Sequence, residues 1–227
     1  SFFRRNLLIT CHKKGGGRDS RGDILALIRA REGQSGIVYC ISRRAVESTA
    51  EHLKSQGVKA LPYHAGMSDE DRHANQDAFA RDEAEVVVAT VAFGMGIDKS
   101  NVRYVIHRDM PKSIEQYYQE IGRAGRDGLP SDCILFYSWA DVMNYERFLS
   151  GISSPELAEE TRRKTVEMFR LADRRACRHR ALVAYLDETM EDCGASCDVC
   201  RGVTLDDVLP AFSTAAPAAA GRPEGRP

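Results

Sequence analysis

Four of the seven cysteines lie close together near the end of the chain, with the spacing of a metal site. They are Cys177, Cys193, Cys197 and Cys200, in the pattern C-x15-C-x3-C-x2-C. Four thiolates suit tetrahedral Zn²⁺, and one tight turn can supply three of them while a helix supplies the fourth. Because four protein ligands leave no position for water, the predicted site is structural rather than catalytic.

Other interpretations of these cysteines stay open at this point. The four could be free thiols, or Cys197 and Cys200 could form a disulfide. His179 could replace one thiolate, although it lies among arginines that are typical of a basic surface. The other three cysteines fall in predicted strands and need nothing beyond burial as small apolar side chains; they are Cys11, Cys40 and Cys133.

Polar residues also follow two short apolar runs that predict parallel strands, at the edge where such sheets bind ligands. Ser42 precedes a helical segment that begins with Arg43 and Arg44, so it can contact a phosphate or only cap the helix. His64 lies at another strand tip, two residues before Gly66. Its imidazole can reach a backbone phosphate or satisfy the turn.

Two glycine-bearing turns complete this edge. The first runs from Thr90 to Lys99 and places a hydroxyl, two glycines that include Gly96, and the carboxylate of Asp98 after a strand. Thr90 can donate to a phosphate, and Asp98 can accept from a ribose hydroxyl. The second turn reads GRAGRDG, in which Arg123 and Arg126 face one side. Arginines in this position can stabilise a phosphoryl group in transfer or join an ion-pair network.

A basic segment surrounds the first cysteine of the cluster. Residues 162–180 contain eight Lys or Arg against two acidic residues, although the whole chain carries a formal charge of only −1. On a helix such a segment can follow a row of phosphates, or it can pair with neighbouring carboxylates in solvent. We favour DNA contact and expect it at Arg174, Arg175 and Arg178, because Cys177 would hold this stretch in a fixed orientation.

The elements that must position these residues alternate between strands and helices, which is typical of a parallel sheet covered by helices. We predict strands at 6–11, 36–41, 59–64, 85–89, 104–107 and 133–137. We predict helices at 22–31, 43–56, 68–81, 113–121 and 139–149, and a longer helical pattern over 156–190 that is interrupted near Asp173. The predicted domains are an α/β lobe at 1–150, a helical unit at 151–205 and a disordered linker or tail at 206–227.

Composition limits the class of protein. The chain has 227 residues, of which 43% are hydrophobic and 29% charged, as in soluble globular proteins. It has no apolar run of the roughly 18 residues that a membrane span needs and no signal peptide at its start. Clustered cysteines and the absence of a leader lead us to expect the cytoplasm, or association with the nucleoid in a bacterium.

The motifs together resemble a known family. ATVAFGMGIDK and QEIGRAGRDG, with YHAGM before them, resemble the second RecA-like lobe of superfamily 2 helicases. The further combination with IHRDMPKSIEQYYQE and the four cysteines resembles the RecQ family of DNA helicases, over about residues 1 to 205. The resemblance implies a RecA-like, P-loop-type parallel sheet flanked by helices and followed by a small helical zinc-binding subdomain. One departure is that three residues, where the family usually has two, separate Cys193 from Cys197.

The resemblance also implies roles for individual residues. Arg126 matches the arginine finger that reaches the γ-phosphate of ATP on a partner lobe, and Arg123 matches the arginine that couples ATP to lobe closure. Asp98, Gln119 and Gly96 lie in positions associated with the nucleotide. Ser42, His64 and Thr90 lie where this lobe touches the phosphates of single-stranded DNA.

One part of the machinery is missing from the sequence. It contains neither a G-x-x-x-x-G-K-[ST] phosphate loop nor an Asp-Glu-x-His strand for Mg²⁺. We therefore expect the second lobe and zinc subdomain of a 3′–5′ DNA helicase for recombination and repair, which takes ATP and Mg²⁺ only with a first lobe. The expected partners are that lobe and DNA, with no membrane, and the chain is expected to be a monomer. An RNA helicase lobe and a non-catalytic, zinc-dependent DNA-binding module are the alternatives.

Overall fold

The computed structural model describes residues 1–90, 99–149 and 154–209, and its centre is a six-stranded sheet. All the described strand pairs are parallel, in the order β1-β6-β5-β2-β4-β3. The predicted strands are confirmed, with ends shifted by at most two residues. Their bounds are β1 Leu7–Lys13, β2 Ser35–Tyr39, β3 Ala60–Tyr63, β4 Val86–Ala89, β5 Val102–His107 and β6 Ser131–Tyr137.

Helices follow the strands and cover both faces of the sheet. Four of them begin after serines whose hydroxyl oxygens accept a backbone N–H of the first turn, namely Ser42, Ser68, Ser113 and Ser154. The bounds are α1 Ser20–Arg29, α2 Arg43–Ser55, α3 Asp69–Ala80, α4 Ile114–Ile121, α5 Trp139–Leu149, α6 Pro155–Asp173, α7 Arg178–Tyr185, α8 Asp198–Arg201 and α9 Leu205–Val208. The predicted interruption near Asp173 is confirmed, since α6 ends there.

Two apolar clusters, one on each face, hold the layers together. β4 is apolar at every position because both of its faces are covered, and all four of its residues are fully buried. Gly36 in β2 lies against the ring of Tyr104 in β5, where an added Cβ would meet ring carbon at 1.8 Å. Only glycine therefore fits at this position of β2.

The helices after residue 154 pack on the same sheet. Met168, Leu171 and Leu182 belong to one apolar cluster with strand residues such as Ile9 and Leu135. The predicted helical unit therefore shares a core with the lobe. The boundary at 150 stays a prediction.

The predicted tail begins too early. Residues 206–209 are folded, because α9 places Leu205 and Leu209 in the second apolar cluster of the sheet and Asp206 pairs with Arg18 at 2.7 Å. The composition of the sequence did not predict α9, because a helix of one turn is too short to show a repeating apolar pattern. No helix in the described ranges is long and apolar enough to cross a membrane.

Candidate functional site

The four predicted zinc ligands come together. The Sγ atoms of Cys177, Cys193, Cys197 and Cys200 all lie within 4.8 Å of one another. Sulfurs at the corners of a tetrahedron with Zn–S bonds of about 2.3 Å are about 3.8 Å apart, so the residues present fit the ion. When bound, the ion cross-links the start of α7 to the turn before α8 and to α8 itself.

Backbone N–H groups favour the thiolate form of one ligand, Cys177. Burial raises the pKa of the Cys177 thiol, but donors from the backbone of Arg180 at 3.4 Å and Cys193 at 3.2 Å outweigh it and hold the pKa below its usual value. Cys177 is also the N-cap of α7, where the positive end of the helix favours a thiolate. Because Cys193 and Cys197 both lie in the cluster, the additional residue between them removes no ligand.

His179 is not part of the cluster. Its ring is buried, and Nε2 lies 2.9 Å from the carbonyl oxygen of Leu7 and 3.2 Å from that of Ser196. The ring of Phe3 packs edge-on against it at 5.0 Å. The histidine thus ties the start of the chain to the zinc subdomain, and the alternative in which it replaces a thiolate is wrong.

The predicted DNA contact at Arg178 is wrong. Its side chain is buried, and its guanidinium forms a two-bond pair with Asp198, Nε to Oδ1 at 2.9 Å and Nη2 to Oδ2 at 3.1 Å. Nη1 donates to the carbonyl oxygens of Leu171, Ala172 and Arg174. A guanidinium with these partners is unavailable to a phosphate, and it joins α6, α7 and α8 beside the zinc ligands.

The rest of the basic segment divides into paired and exposed residues. Arg162, Arg163, Lys164 and Arg180 each form a salt bridge with a carboxylate, as the alternative interpretation held. Arg174 and Arg175 are exposed and form no salt bridge with any residue in the described ranges. They are the members of the predicted DNA set that stay available to a phosphate.

The carboxyl edge of the sheet holds the predicted Ser42, His64 and Thr90. Ser42 Oγ accepts the N–H of Ala45 at 3.2 Å, which confirms the cap and leaves its phosphate contact a prediction. His64 is a correction, because its ring is buried and both nitrogens have partners: Nδ1 accepts from the N–H of Gly66 at 3.1 Å, and Nε2 lies 3.2 Å from a carboxylate oxygen of Glu47. Its ring satisfies the turn, as the alternative interpretation held.

Thr90 lines a cavity of about 150 Å³ at this edge, between the ends of β2 and β5 and the start of α4. Within it, His107 Nε2 lies 2.8 Å from Glu120 Oε2, while Gln116 donates to Glu120 Oε1 at 2.9 Å. His107 Nδ1 is buried and meets no hydrogen-bond partner in the described part of the chain. Sequence reasoning missed this pair, because the two residues lie in different elements, 13 positions apart.

The predicted arginines lie in a turn after α4, residues 122–128, which we name the arginine turn. Gly125 has a left-handed φ of +55°, and an added Cβ would lie 2.5 Å from Asn6 Nδ2 and 2.8 Å from Leu129 O. Its N–H donates to Val102 O at 2.9 Å, and Arg103 holds Asp127 with two bonds of 2.6 and 2.7 Å. The turn is therefore fastened at two points to the start of β5, so it lies at the amino edge of the sheet and not at the carboxyl edge that the sequence pattern predicted.

Arg123 is half-buried and Arg126 is exposed. Burial raises the pKa of the Tyr39 hydroxyl and the charge of Glu120 raises it further, whereas both arginines act on the same hydroxyl in the opposite direction. The two positive charges are thus near enough to act on Tyr39, the last residue of β2. Gln119 is exposed in a groove between α4 and α6. Asp98 and Gly96 lie outside the described residues.

A parallel sheet of this order, with two arginines in the turn between α4 and β6 and a four-thiolate zinc site on the helices that pack against it, is the arrangement expected of the second motor lobe of a helicase with a zinc-binding subdomain. The family model described as "Helicase conserved C-terminal domain" matches residues 20–128, and the one described as "RecQ zinc-binding" matches residues 139–201. The chain belongs to the RecQ helicase family and comprises the C-terminal region of its motor.

Relatives agree with that assignment. The chain is 43% identical over 206 residues to the ATP-dependent DNA helicase RecQ of Haemophilus influenzae, with 88% of this chain and 32% of the relative covered. It is 41% identical to a putative ATP-dependent DNA helicase Q1 of Caenorhabditis elegans, with 88% and 32% covered. It is 39% identical to a putative ATP-dependent RNA helicase of Acanthamoeba polyphaga mimivirus, with 89% and 37% covered. The chain thus spans about a third of the length of these relatives.

The fold is also that of a solved structure. A DEAD box protein from Methanococcus jannaschii superposes with a TM-score of 0.51 at 24% identity, over 63% of this chain and 40% of that one. The likeness confirms the RecA-like architecture predicted from the sequence.

Proposed function

We propose that this chain is the second lobe and zinc subdomain of an ATP-dependent DNA helicase that moves 3′ to 5′ along one strand. The observation that carries the proposal is that the arginine turn and the four-thiolate site belong to one folded unit with a shared core. The relatives that support it are named ATP-dependent DNA helicases. Because the sequence has no phosphate loop, ATP and Mg²⁺ require a first lobe.

In this mechanism the arginine turn faces nucleotide held by the first lobe. Arg126 is exposed and stabilises the negative charge that spreads over the transferring phosphoryl group. Arg123 is half-buried in the same turn and links the nucleotide to closure of the two lobes. Gln119, Gly96 and Asp98 contribute to the nucleotide interface.

DNA contacts come from two regions of the surface. Ser42 and Thr90 hold phosphates of the single strand at the carboxyl edge of the sheet, where a helix N-terminus and a hydroxyl favour an anion. Arg174 and Arg175 are exposed beside the zinc site and add phosphate contacts there. The zinc ion keeps this second region in place relative to the sheet.

The wider role follows from the same assignment. We propose recombination and repair as the processes, the cytoplasm or nucleoid as the location, and a monomer as the working state. A first lobe and DNA with a junction between single and double strands are the partners.

The proposal is tested by grafting this chain in place of the matching 206 residues of the Haemophilus influenzae relative. We expect this chimera to hydrolyse ATP in the presence of DNA and to unwind a duplex with a 3′ tail, whereas the isolated chain should hydrolyse none. Arg126→Ala should lower kcat by about 10³-fold or more, since arginine fingers contribute that much. Arg5→Ala, which removes an exposed arginine elsewhere, is the matched control.

The outcome also decides between nucleic acids. Unwinding of a 3′-tailed RNA duplex in preference to DNA would favour the RNA helicase alternative, which the name of the mimivirus relative raises. DNA binding without unwinding, in a chimera that still hydrolyses no ATP, would favour the non-catalytic module.

A further inference from the structure

We propose that Arg4 is a positioning residue for the two arginines of the arginine turn. The inference rests on the proposed function, because it assigns those arginines to ATP hydrolysis. Arg4 does not reach the reaction itself. Its role is to hold the backbone from which Arg123 and Arg126 extend.

The contacts of Arg4 are concentrated on that backbone. Its guanidinium donates to three carbonyl oxygens, those of Gly122 at 3.1 Å, Ala124 at 3.0 Å and Gly125 at 2.5 Å. These carbonyls flank Arg123 on both sides and directly precede Arg126 in the chain. Asn6 adds a fourth bond, from Nδ2 to the Gly125 oxygen at 2.8 Å.

The chemistry of the site requires an arginine rather than any cation. The three carbonyls belong to the C-cap of α4 and to the turn that follows it, where the negative end of the helix favours a cation. A guanidinium offers several N–H donors in a rigid fork, so one side chain can bridge three oxygens that point in different directions. An ammonium provides the charge but cannot hold all three at once.

The segment that carries Arg4 is itself fixed by the zinc subdomain. The N–H of Phe2 donates to Glu188 at 2.7 Å, Ser196 Oγ donates to the Arg5 carbonyl at 2.9 Å, and His179 holds the Leu7 carbonyl. Residues 1–7 thus run from the zinc subdomain to the arginine turn. This is why the guanidinium of Arg4 meets the turn in one defined position.

The first experiment measures amide hydrogen exchange in the arginine turn of the isolated chain. Hydrogen exchange should be about 10-fold faster or more at the amides of Gly125 and Asp127 in Arg4→Ala, because their bonds to Val102 and Ser100 depend on the position of the turn. Arg5→Ala, with its side chain exposed, should leave both amides unchanged. Zinc content and exchange in the central strands show whether each variant is folded.

The second experiment measures hydrolysis in the chimera. A displacement of about 1 Å in a catalytic group costs on the order of 10²-fold, so Arg4→Ala should lower kcat about 10- to 100-fold while KM for ATP changes less than about 3-fold. Arg4→Lys should recover only part of kcat, and Arg5→Ala should match the parent. Wild-type kcat in folded Arg4→Lys and Arg4→Ala would overturn the proposal, as would equal losses in Arg4→Ala and Arg5→Ala.

Arg126→Ala separates this inference from the proposed function. If Arg126→Ala abolishes hydrolysis and Arg4→Ala does not affect it, the positioning role fails and the helicase assignment stands. If Arg126→Ala hydrolyses ATP normally, the catalytic role of the turn fails, and faster exchange in Arg4→Ala would then show only a structural support.

Discussion

Replacing Asp198 with alanine tests the correction at Arg178. The change leaves a buried guanidinium without its carboxylate, and it also removes the acceptor of the Cys11 N–H, which lies 3.1 Å from Asp198 Oδ2. Loss of one partner from a buried pair costs about 3–5 kcal/mol. Because three carbonyls still accept from Arg178, we expect Asp198→Ala to lower the free energy of unfolding by about 4 kcal/mol.

Asp192→Ala is the matched control. Asp192 pairs at 2.9 Å with Arg180, which lies in α7 as Arg178 does. Both side chains of this pair are about half exposed, so loss of the Asp192 carboxylate should cost less than about 1 kcal/mol. The assay is urea unfolding of the zinc-loaded chain, followed by circular dichroism. The double variant Arg178→Met with Asp198→Leu should regain most of the lost stability, because an apolar pair replaces the charges.

The reasoning would be refuted if Asp198→Ala destabilised the chain no more than Asp192→Ala. It would also be refuted if Arg178→Met kept full stability and lost DNA affinity. That second result would return Arg178 to the DNA-binding surface, where the sequence pattern had placed it.

Three more outcomes are expected. Cys200→Ala or chelation should release zinc and lower the unfolding midpoint in urea, checked by metal analysis and by the loss of helical signal, whereas an unchanged midpoint would contradict a structural role. Gly125→Ala should lower the free energy of unfolding by about 2 kcal/mol more than Gly128→Ala in thermal unfolding. Both glycines have positive φ, but only a Cβ at position 125 would meet other atoms. Equal losses would show that the contacts around Gly125 are unimportant. Arg174→Ala should reduce the slope of log K for DNA binding against log salt concentration by about 1, which corresponds to the loss of one phosphate contact. Arg180→Ala, which removes an arginine already paired with Asp192, should change this slope less. Identical slopes for the two variants would argue against a DNA contact at Arg174.

The strands and most helices follow from local patterns in the sequence. A strand such as Val86–Ala89 is apolar at every position because both faces of a parallel sheet are covered, and this is visible without the fold. Serine caps mark where several helices begin. The zinc ligands can also be predicted from the sequence, because their spacing and residue type together identify them.

The partner of each polar side chain could be identified only from the tertiary structure. Arg178 has the same residue type as Arg174 four positions earlier, and only the arrival of Asp198 from α8 makes one a buried structural group and leaves the other exposed. His64 likewise has a phosphate-binding position in the sequence pattern, but Gly66 and Glu47 occupy both of its nitrogens.

Long-range contacts explain the remaining differences. Arg4 lies 118 or more residues from the carbonyls that it holds, and no periodicity in the sequence records such a contact. Residue type and spacing determined the sheet, its caps and the zinc site, because these depend on neighbours along the chain. The choice of partner for each charge depends on segments that meet only after folding, and so the tertiary structure alone decided it.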